Sequence, residues 1–386
     1  MAINEIWFLL QTPLTKRDYD RLGTERLLKR GFRVKFLDLT AIINPKYLKT
    51  PKKYPYEGMF EINNKEEYVG LLKKQENDIF VIDVIVRRDI PSFVLATLNK
   101  YGIPYANLCV NSIPIPNLNS IGTIYKLKAK KIFRLFASLI RRLSGFFNYY
   151  NPDFIFAGGE KDRSMFPKHN KNTKIIWGHT LDYDLYLEYL EKGSKLPLNG
   201  KYAVFLDEYF PLHPDFHVSG AISNPYKEPS EYYDEMNAMF EILEKKTGIP
   251  IVIAAHPRSD YNNLPGVFQS RKIYQMKTVD LVANAEFVIA HGSTSVNFAV
   301  LFEKPIIFIM PSKVKGGAYE SIITNFAGQF GKTPYTLDSV ANITISDELM
   351  INEKYYYDYK NNYIKKAGSP NKYLWEIVAD AIQSGN

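Results

Sequence analysis

A chain of 386 residues is too long for one ordinary hydrophobic core and suits two, of roughly 150 to 200 residues each. Hydrophobic residues at 46% and charged residues at 23% lie near the globular average and exclude a dominant disordered tract, while a single cysteine, Cys109, excludes a disulfide framework or a cysteine metal site within one chain. The formal net charge of +8 favours acidic partners, among which nucleotide phosphates, anionic lipid and nucleic acid all qualify.

In chain order, Met1 to Thr12 is apolar but carries Glu5 and lacks a basic start and a small-residue cleavage site, so it reads as a first strand and not a signal peptide. No apolar stretch reaches the length of a membrane span, and the expected location is cytoplasmic, with peripheral contact at the inner face of a membrane left open. Ile6 to Gln11, Asp18 to Arg30 and Phe32 to Leu39 form a strand, helix, strand pattern, the opening unit of a parallel sheet. Strands are expected again at Ile79 to Val86, Tyr105 to Val110, Phe154 to Ala157 and Lys174 to Trp177. The first of these is apolar and mostly β-branched apart from Asp83, as suits a strand covered on both faces.

Between them, Tyr125 to Phe147 sets Lys126, Lys128, Lys130, Lys131, Arg134, Arg141 and Arg142 around an apolar stripe at helical spacing. A crossover helix with a solvated basic face is the preferred reading, and a membrane-surface helix the other. Gly193, Pro197 and Gly200 mark a connection over 191–200. A second series follows, with strands at Ala203 to Leu206, Ile251 to Ala254, Phe287 to Ala290 and Ile306 to Met310, and helices at Glu228 to Lys246, Thr278 to Ala283 and Ser295 to Phe302. The last 35 residues are rich in tyrosine and end in a helical pattern at Tyr373 to Ile382. The fold class expected is α/β, with two Rossmann-like doubly wound domains: 1–192 for the acceptor, 201–350 for a nucleotide donor, and a tail at 351–386 returning to the first domain.

Open α/β sheets bind ligands beyond the carboxyl ends of their strands, so the residues just after each strand are the candidates. IVIAAHPRSD ends in His256, Pro257 and Arg258, where the proline stops the strand beside two groups that donate to phosphate oxygens. FVIAHGSTSVNFAV runs into His291 and Gly292, then Ser293, Thr294 and Ser295 before a helix. The glycine permits a tight turn, and a hydroxyl N-cap beside unpaired amides suits an anion. FIFAGGEKDR offers Gly158 and Gly159, where a substrate could approach the backbone, with Glu160 and Asp162 as candidate general bases. The stretch after Trp177 adds His179, Asp182 and Asp184 as cleft or acceptor contacts, and Asp207 and Glu208 follow the first strand of the second series. No metal and no cofactor is called for, since basic and hydroxyl groups would stabilise a leaving phosphate.

The paired HP and serine motifs, with NFAVLFEKPIIFI after them, resemble those of bacterial sialyltransferases and polysialyltransferases, capsule Kdo transferases and CDP-glycerol glycerophosphotransferases, over about Ala203 to Met310. That resemblance implies a GT-B-type glycosyltransferase, its domains facing across a cleft, in which His256 and Ser293 to Ser295 contact the donor nucleotide and its phosphate. It also implies transfer from a nucleotide-activated sugar to a surface glycan or lipid-linked acceptor, as in capsule or lipopolysaccharide synthesis, with a lean to CMP-activated sialic acid or Kdo. The sialyltransferases carry an acidic pair followed by glycine in the first domain as the base; here the nearest match, Asp207 and Glu208, precedes Tyr209 and sits in the second. A nucleotide-sugar 2-epimerase is the alternative enzyme and a CDP-glycerol polyol phosphate transferase the next. Nucleic acid is not an expected partner, because the basic stretch accompanies an apolar stripe and no binding module is recognised.

Overall fold

The computed structural model describes residues 3–49, 53–75, 78–85, 90–114, 151–193, 200–213 and 224–384. The expected basic helix at Tyr125 to Phe147 lies outside the described residues, as do Val86 and Pro197. The described residues fall into two compact units, one drawn from Met1–Ser112, Gly122–Leu181 and Lys365–Asn386, the other from Ile113–Ile121 and Asp182–Ile364.

In the first unit, seven parallel strands run β1 (Glu5–Leu10), β2 (Arg33–Asp38), β3 (Met59–Glu61), β4 (Ile79–Asp83), β5 (Tyr105–Cys109), β6 (Phe154–Ala157) and β7 (Lys174–Trp177), ordered β3-β2-β1-β4-β5-β6-β7. Alternation explains why β1 is buried throughout: Ile6, Phe8 and Leu10 pack with Phe36, Phe80 and Phe156, while Trp7 and Leu9 face Val81, Leu98 and Tyr105. The single helix expected at Asp18 to Arg30 is two, Lys16–Arg21 and Thr24–Lys29. The break falls at Gly23, whose φ of +60° suits glycine and whose missing Cβ would lie 2.1 Å from Trp375. There the helix Leu374–Ser384 docks, with Trp375 Nε1 donating to the Arg21 carbonyl at 2.7 Å and the Arg26 guanidinium 3.2 Å from the Tyr373 ring centre.

The second unit holds five parallel strands, β8 (Ala203–Leu206), β9 (Ile251–Ala255), β10 (Ile273–Gln275), β11 (Val288–Ala290) and β12 (Ile306–Phe308), ordered β10-β9-β8-β11-β12. Val204 and Leu206 pack with Val288, Phe308 and Tyr359 on one face, and Ala203 and Phe205 with Tyr232, Phe240 and Ile289 on the other. Helix Pro229–Thr247 opens on a proline at its first turn and stops at Gly248 in the left-handed region. Each sheet reverses order beside its first strand, between β1 and β4 and between β8 and β11, which is the doubly wound pattern. Among the described residues, no helix is long and apolar enough to cross a membrane.

Candidate functional site

The reversal between β8 and β11 sends the loops after these strands in opposite directions and leaves a crevice at their carboxyl ends. Asp207 and Glu208 leave β8 at that point, His256 follows β9, and His291 and Gly292 follow β11. Successive residues off an extended strand point to opposite sides, so the two acids reach different neighbours. Asp207 accepts from the Tyr209 amide at 2.9 Å on one oxygen, and from the His256 amide at 3.2 Å and the Tyr261 hydroxyl at 2.7 Å on the other. Burial pushes this carboxyl up to about 6, against the pull of those hydrogen bonds. Glu208 accepts from the Gly292 amide at 2.8 Å and from the Tyr319 hydroxyl. Two consecutive carboxylates thereby fasten the β9 and β11 turns to the end of β8.

The His256 turn is firmly built. Nδ1 of His256 accepts from the Arg258 amide at 3.1 Å, which puts the ring proton on Nε2, and the His213 ring stands edge-on with centroids 4.7 Å apart. From β10, Gln275 donates to the carbonyls of Pro257 at 3.1 Å and Ser259 at 2.9 Å. Arg258 is exposed at the tip.

Two expectations for the β11 turn, a ligand role for His291 and a hydroxyl cap, are corrected. The His291 ring is fully buried, donating from Nδ1 to the Ile309 carbonyl at 2.7 Å and accepting at Nε2 from the Tyr232 hydroxyl at 3.0 Å, so it supports the turn and offers no ring nitrogen to a ligand. Burial holds its pKa below the ordinary histidine value. Gly292 is not in the left-handed region; its bare Cα serves close packing, since a Cβ would lie 3.0 Å from Ile322 Cγ2 on the helix Ala318–Gly328. Nor does a hydroxyl cap the next helix, Val296–Leu301: the carbonyls of Ser293, Thr294 and Ser295 accept from Val296, Asn297 and Phe298, and Ser293 Oγ accepts from the Ser295 amide at 3.2 Å. Among the described residues, nothing pairs with the amides of Ser293 and Thr294 or with the hydroxyls of Thr294 and Ser295. Asn297, buried on the same helix, donates to Asp182 at 2.9 Å, which gives Asp182 a bracing role at the start of helix Leu181–Lys192; Asp184 lies half-buried in the same turn.

In the first unit, the glycine turn after β6 is filled by the protein itself. Asp162, fully buried, accepts from the amides of Gly158 at 2.7 Å and Gly159 at 3.0 Å on one oxygen and of Ser112, after β5, at 3.0 Å on the other, so it braces these loops and the base role expected of it is corrected. Glu160 pairs with Lys366 and with Arg163 at 2.9 Å, and these cations hold it below the usual carboxylate range. Since the Lys366 amide also donates to the Gly158 carbonyl at 2.9 Å, Glu160 ties the returning C-terminal segment to this turn. His179 is buried with Nδ1 3.0 Å from the Thr180 carbonyl and Nε2 2.7 Å from that of Lys372, a second tie to the same segment. The structure thus gathers His256, Pro257, Arg258, Asp207, Glu208 and the segment His291 to Ser295 in the second unit, while Gly158, Gly159, Glu160, Asp162 and His179 belong to the first.

Sequence reasoning passed over Tyr232, Tyr261 and Tyr319, whose hydroxyls hold His291 and the two acids; their scattered spacing carries no signal. Asp83 did carry one, as the lone acid in a β-branched run. It ends β4 at the first sheet's reversal, is pushed up to about 7 by burial, and accepts from the Ile85 amide at 3.0 Å and from Asn107 at 2.8 Å. The Asn107 Oδ1 is buried without a donor among the described residues.

No protein-family model matches the chain, and no curated protein matches it by sequence. In fold it is similar to a structure of the wall teichoic acid polymerase TagF, with TM-score 0.55 and 12% identity over 99% of this chain and 88% of that one. It is likewise similar to Methanocaldococcus jannaschii UDP-GlcNAc 2-epimerase in complex with UDP-GlcNAc and UDP, at TM-score 0.51 and 12% identity over 99% and 100% of the two chains. S. aureus MnaA in a co-structure with UDP gives TM-score 0.50 and 11% identity over 97% of this chain and 95% of that one. At such identities the likeness is one of fold, and the fold is α/β with two parallel Rossmann-like sheets of the GT-B type.

Proposed function

We propose that the chain is an enzyme acting on a nucleotide-activated sugar, whose phosphate is held by the turns after β9 and β11. The observation that carries this reading is the tethering of both turns to β8 by Asp207 and Glu208 at the order reversal of the sheet. The turns bring donor groups to the place where such sheets take ligands: His256 Nε2, the Ser293 and Thr294 amides, and the Thr294 and Ser295 hydroxyls. The two carboxylates spend their charge on donors of the protein, and among the described residues the Ser293 and Thr294 amides and the Thr294 and Ser295 hydroxyls pair with nothing else in the chain. Neighbours of the same fold named with UDP and UDP-GlcNAc support a nucleotide sugar as the ligand class.

The reaction we favour is glycosyl transfer. An acceptor hydroxyl oxygen bonds to the anomeric carbon as that carbon's bond to the phosphate oxygen breaks; the hydroxyl proton goes to a base, and the departing phosphate's charge meets the donors of the two turns. The HP and serine resemblance favours a CMP-activated sugar such as sialic acid or Kdo and a surface glycan or lipid-linked acceptor. Epimerisation of a UDP-sugar is the second reading, supported by the fold shared with two proteins named for or co-crystallised with UDP ligands. Incubation with UDP-GlcNAc and no acceptor separates the two, since only an epimerase changes the sugar. The first experiment is a thermal-shift series with CMP, CDP, UDP and GDP: a ligand of the folded state raises the melting temperature, and no shift with any of them contradicts the proposal.

A further inference from the structure

We infer that Asp207 is a positioning residue for the anion site, its ionised carboxylate setting the His256 turn against the Gly292 turn that Glu208 holds. The inference rests on the proposed donor site and adds how that site is held and when it fails. Three donors converge on Asp207, two amides and one hydroxyl, and each of the three hydrogen bonds is directed at a carboxylate oxygen. An ionised carboxylate accepts from all of them with full charge; a protonated one loses that charge and carries an O–H of its own among donors, so its hold on them weakens. The oxygen that holds His256 also holds Tyr261, whose ring lies edge-on to Tyr209 with centroids 5.4 Å apart, so release on that side loosens the whole turn.

The groups facing Asp207 decide the sign of the pH dependence. They are Glu208 and Tyr209 on its own loop, His256 on the β9 turn with the His213 ring against it, Tyr261 beyond that turn, and Tyr232 and Tyr233 on the helix Pro229–Thr247. The tyrosines are all shifted upward and stay neutral. Protonation of Asp207, which burial places at about 6, weakens anion binding by loosening the turn. Its effect on the fold is opposite. A carboxyl with a raised folded pKa takes up a proton before the unfolded chain does, so its contribution to stability grows as pH falls through the folded value towards 3.8. Protonation of Asp207 therefore weakens ligand binding without weakening the fold, a pairing that a purely structural residue does not give.

The test uses the full chain with UDP-N-acetylglucosamine and CDP-glycerol, whose phosphates carry no titrating proton between about pH 5 and pH 8. We expect Asp207→Asn to bind the tighter probe about 10-fold more weakly than wild type near pH 8. Wild-type affinity should fall towards that of the variant as pH drops through about 6, with no matching fall in melting temperature. Equal affinities near pH 8, or parallel pH profiles, overturn the inference. If wild type binds neither probe, the donor-site reading fails by itself, and amide exchange decides the positioning role. Faster exchange at His256 and Tyr209 in a stably folded Asp207→Asn supports it, and unchanged exchange overturns it.

Discussion

Asp83 offers a clean test of how burial works in the first unit. Its carboxyl sits at the end of β4 with its pKa moved from an ordinary 3.8 to about 7, because burial disfavours the charge more than Ile85 and Asn107 favour it. The folded state thus holds a proton that the unfolded chain has released. Stability contributed by this group is greatest in acid, declines as pH rises through the window between those values, and is flat above about pH 7. At 1.36 kcal/mol per unit, the full swing is about 4 kcal/mol. Asp83→Asn removes it, and the new amide N–H also finds an acceptor in the orphaned Asn107 Oδ1 once that side chain turns over. All three tryptophans, Trp7, Trp177 and Trp375, lie in the first unit, so their fluorescence in a urea titration reports this unit and not the other. The variant should be the more stable near pH 8, and its advantage should shrink steadily towards pH 4. Equal stability near pH 8, or an advantage that does not change with pH, refutes the reasoning.

Gly23→Ala places a Cβ against Trp375 at a left-handed backbone position and should destabilise the first unit by more than about 2 kcal/mol, seen as a lower urea midpoint in tryptophan fluorescence. Tyr232→Phe leaves His291 Nε2 buried without its donor and should cost about 1 to 3 kcal/mol of second-unit stability, read by far-ultraviolet circular dichroism; an unchanged unfolding curve contradicts the bond. Glu160→Gln breaks a partly exposed pair with Lys366 and Arg163, so it should speed amide exchange in the C-terminal segment and leave turnover within about threefold. A loss of about 100-fold in kcat at unchanged donor affinity would instead restore Glu160 as the base.

The parallel sheets were legible because most central strands are apolar on both faces. β1 and β8 announce themselves by composition, and HP after β9 or HGSTS after β11 marks a strand end through residues that strands avoid. The edge strands β3 and β10 were not anticipated, since both are partly exposed and end on a polar residue, without the wholly buried apolar run that marks the equally short β11 and β12. The break at Gly23 was missed for a different reason: what requires it is Trp375, more than 350 positions away along the chain. At the site, the residue types were visible but not their partners. His291 and His256 look alike in sequence, each following an apolar strand, and only packing against Tyr232 and Ile309 turns one into a support. Asp162 likewise reads as a free acid after two glycines until the turn closes and one of its oxygens takes up both their amides while the other takes that of Ser112.

The most direct test of the donor site is calorimetric titration of the best-binding nucleotide from the CMP, CDP, UDP and GDP series into wild type, His256→Ala, Ser293→Ala and Ser295→Ala. A charge-assisted contact at a phosphate is worth about 1.5 to 3 kcal/mol, so the account predicts affinity lower by roughly 10-fold to 150-fold for His256→Ala, with smaller losses for the serines. Melting temperatures should stay close to wild type, since His256 and both serines are only partly buried. Binding as tight as wild type in all three variants would contradict the assignment of the phosphate to these turns.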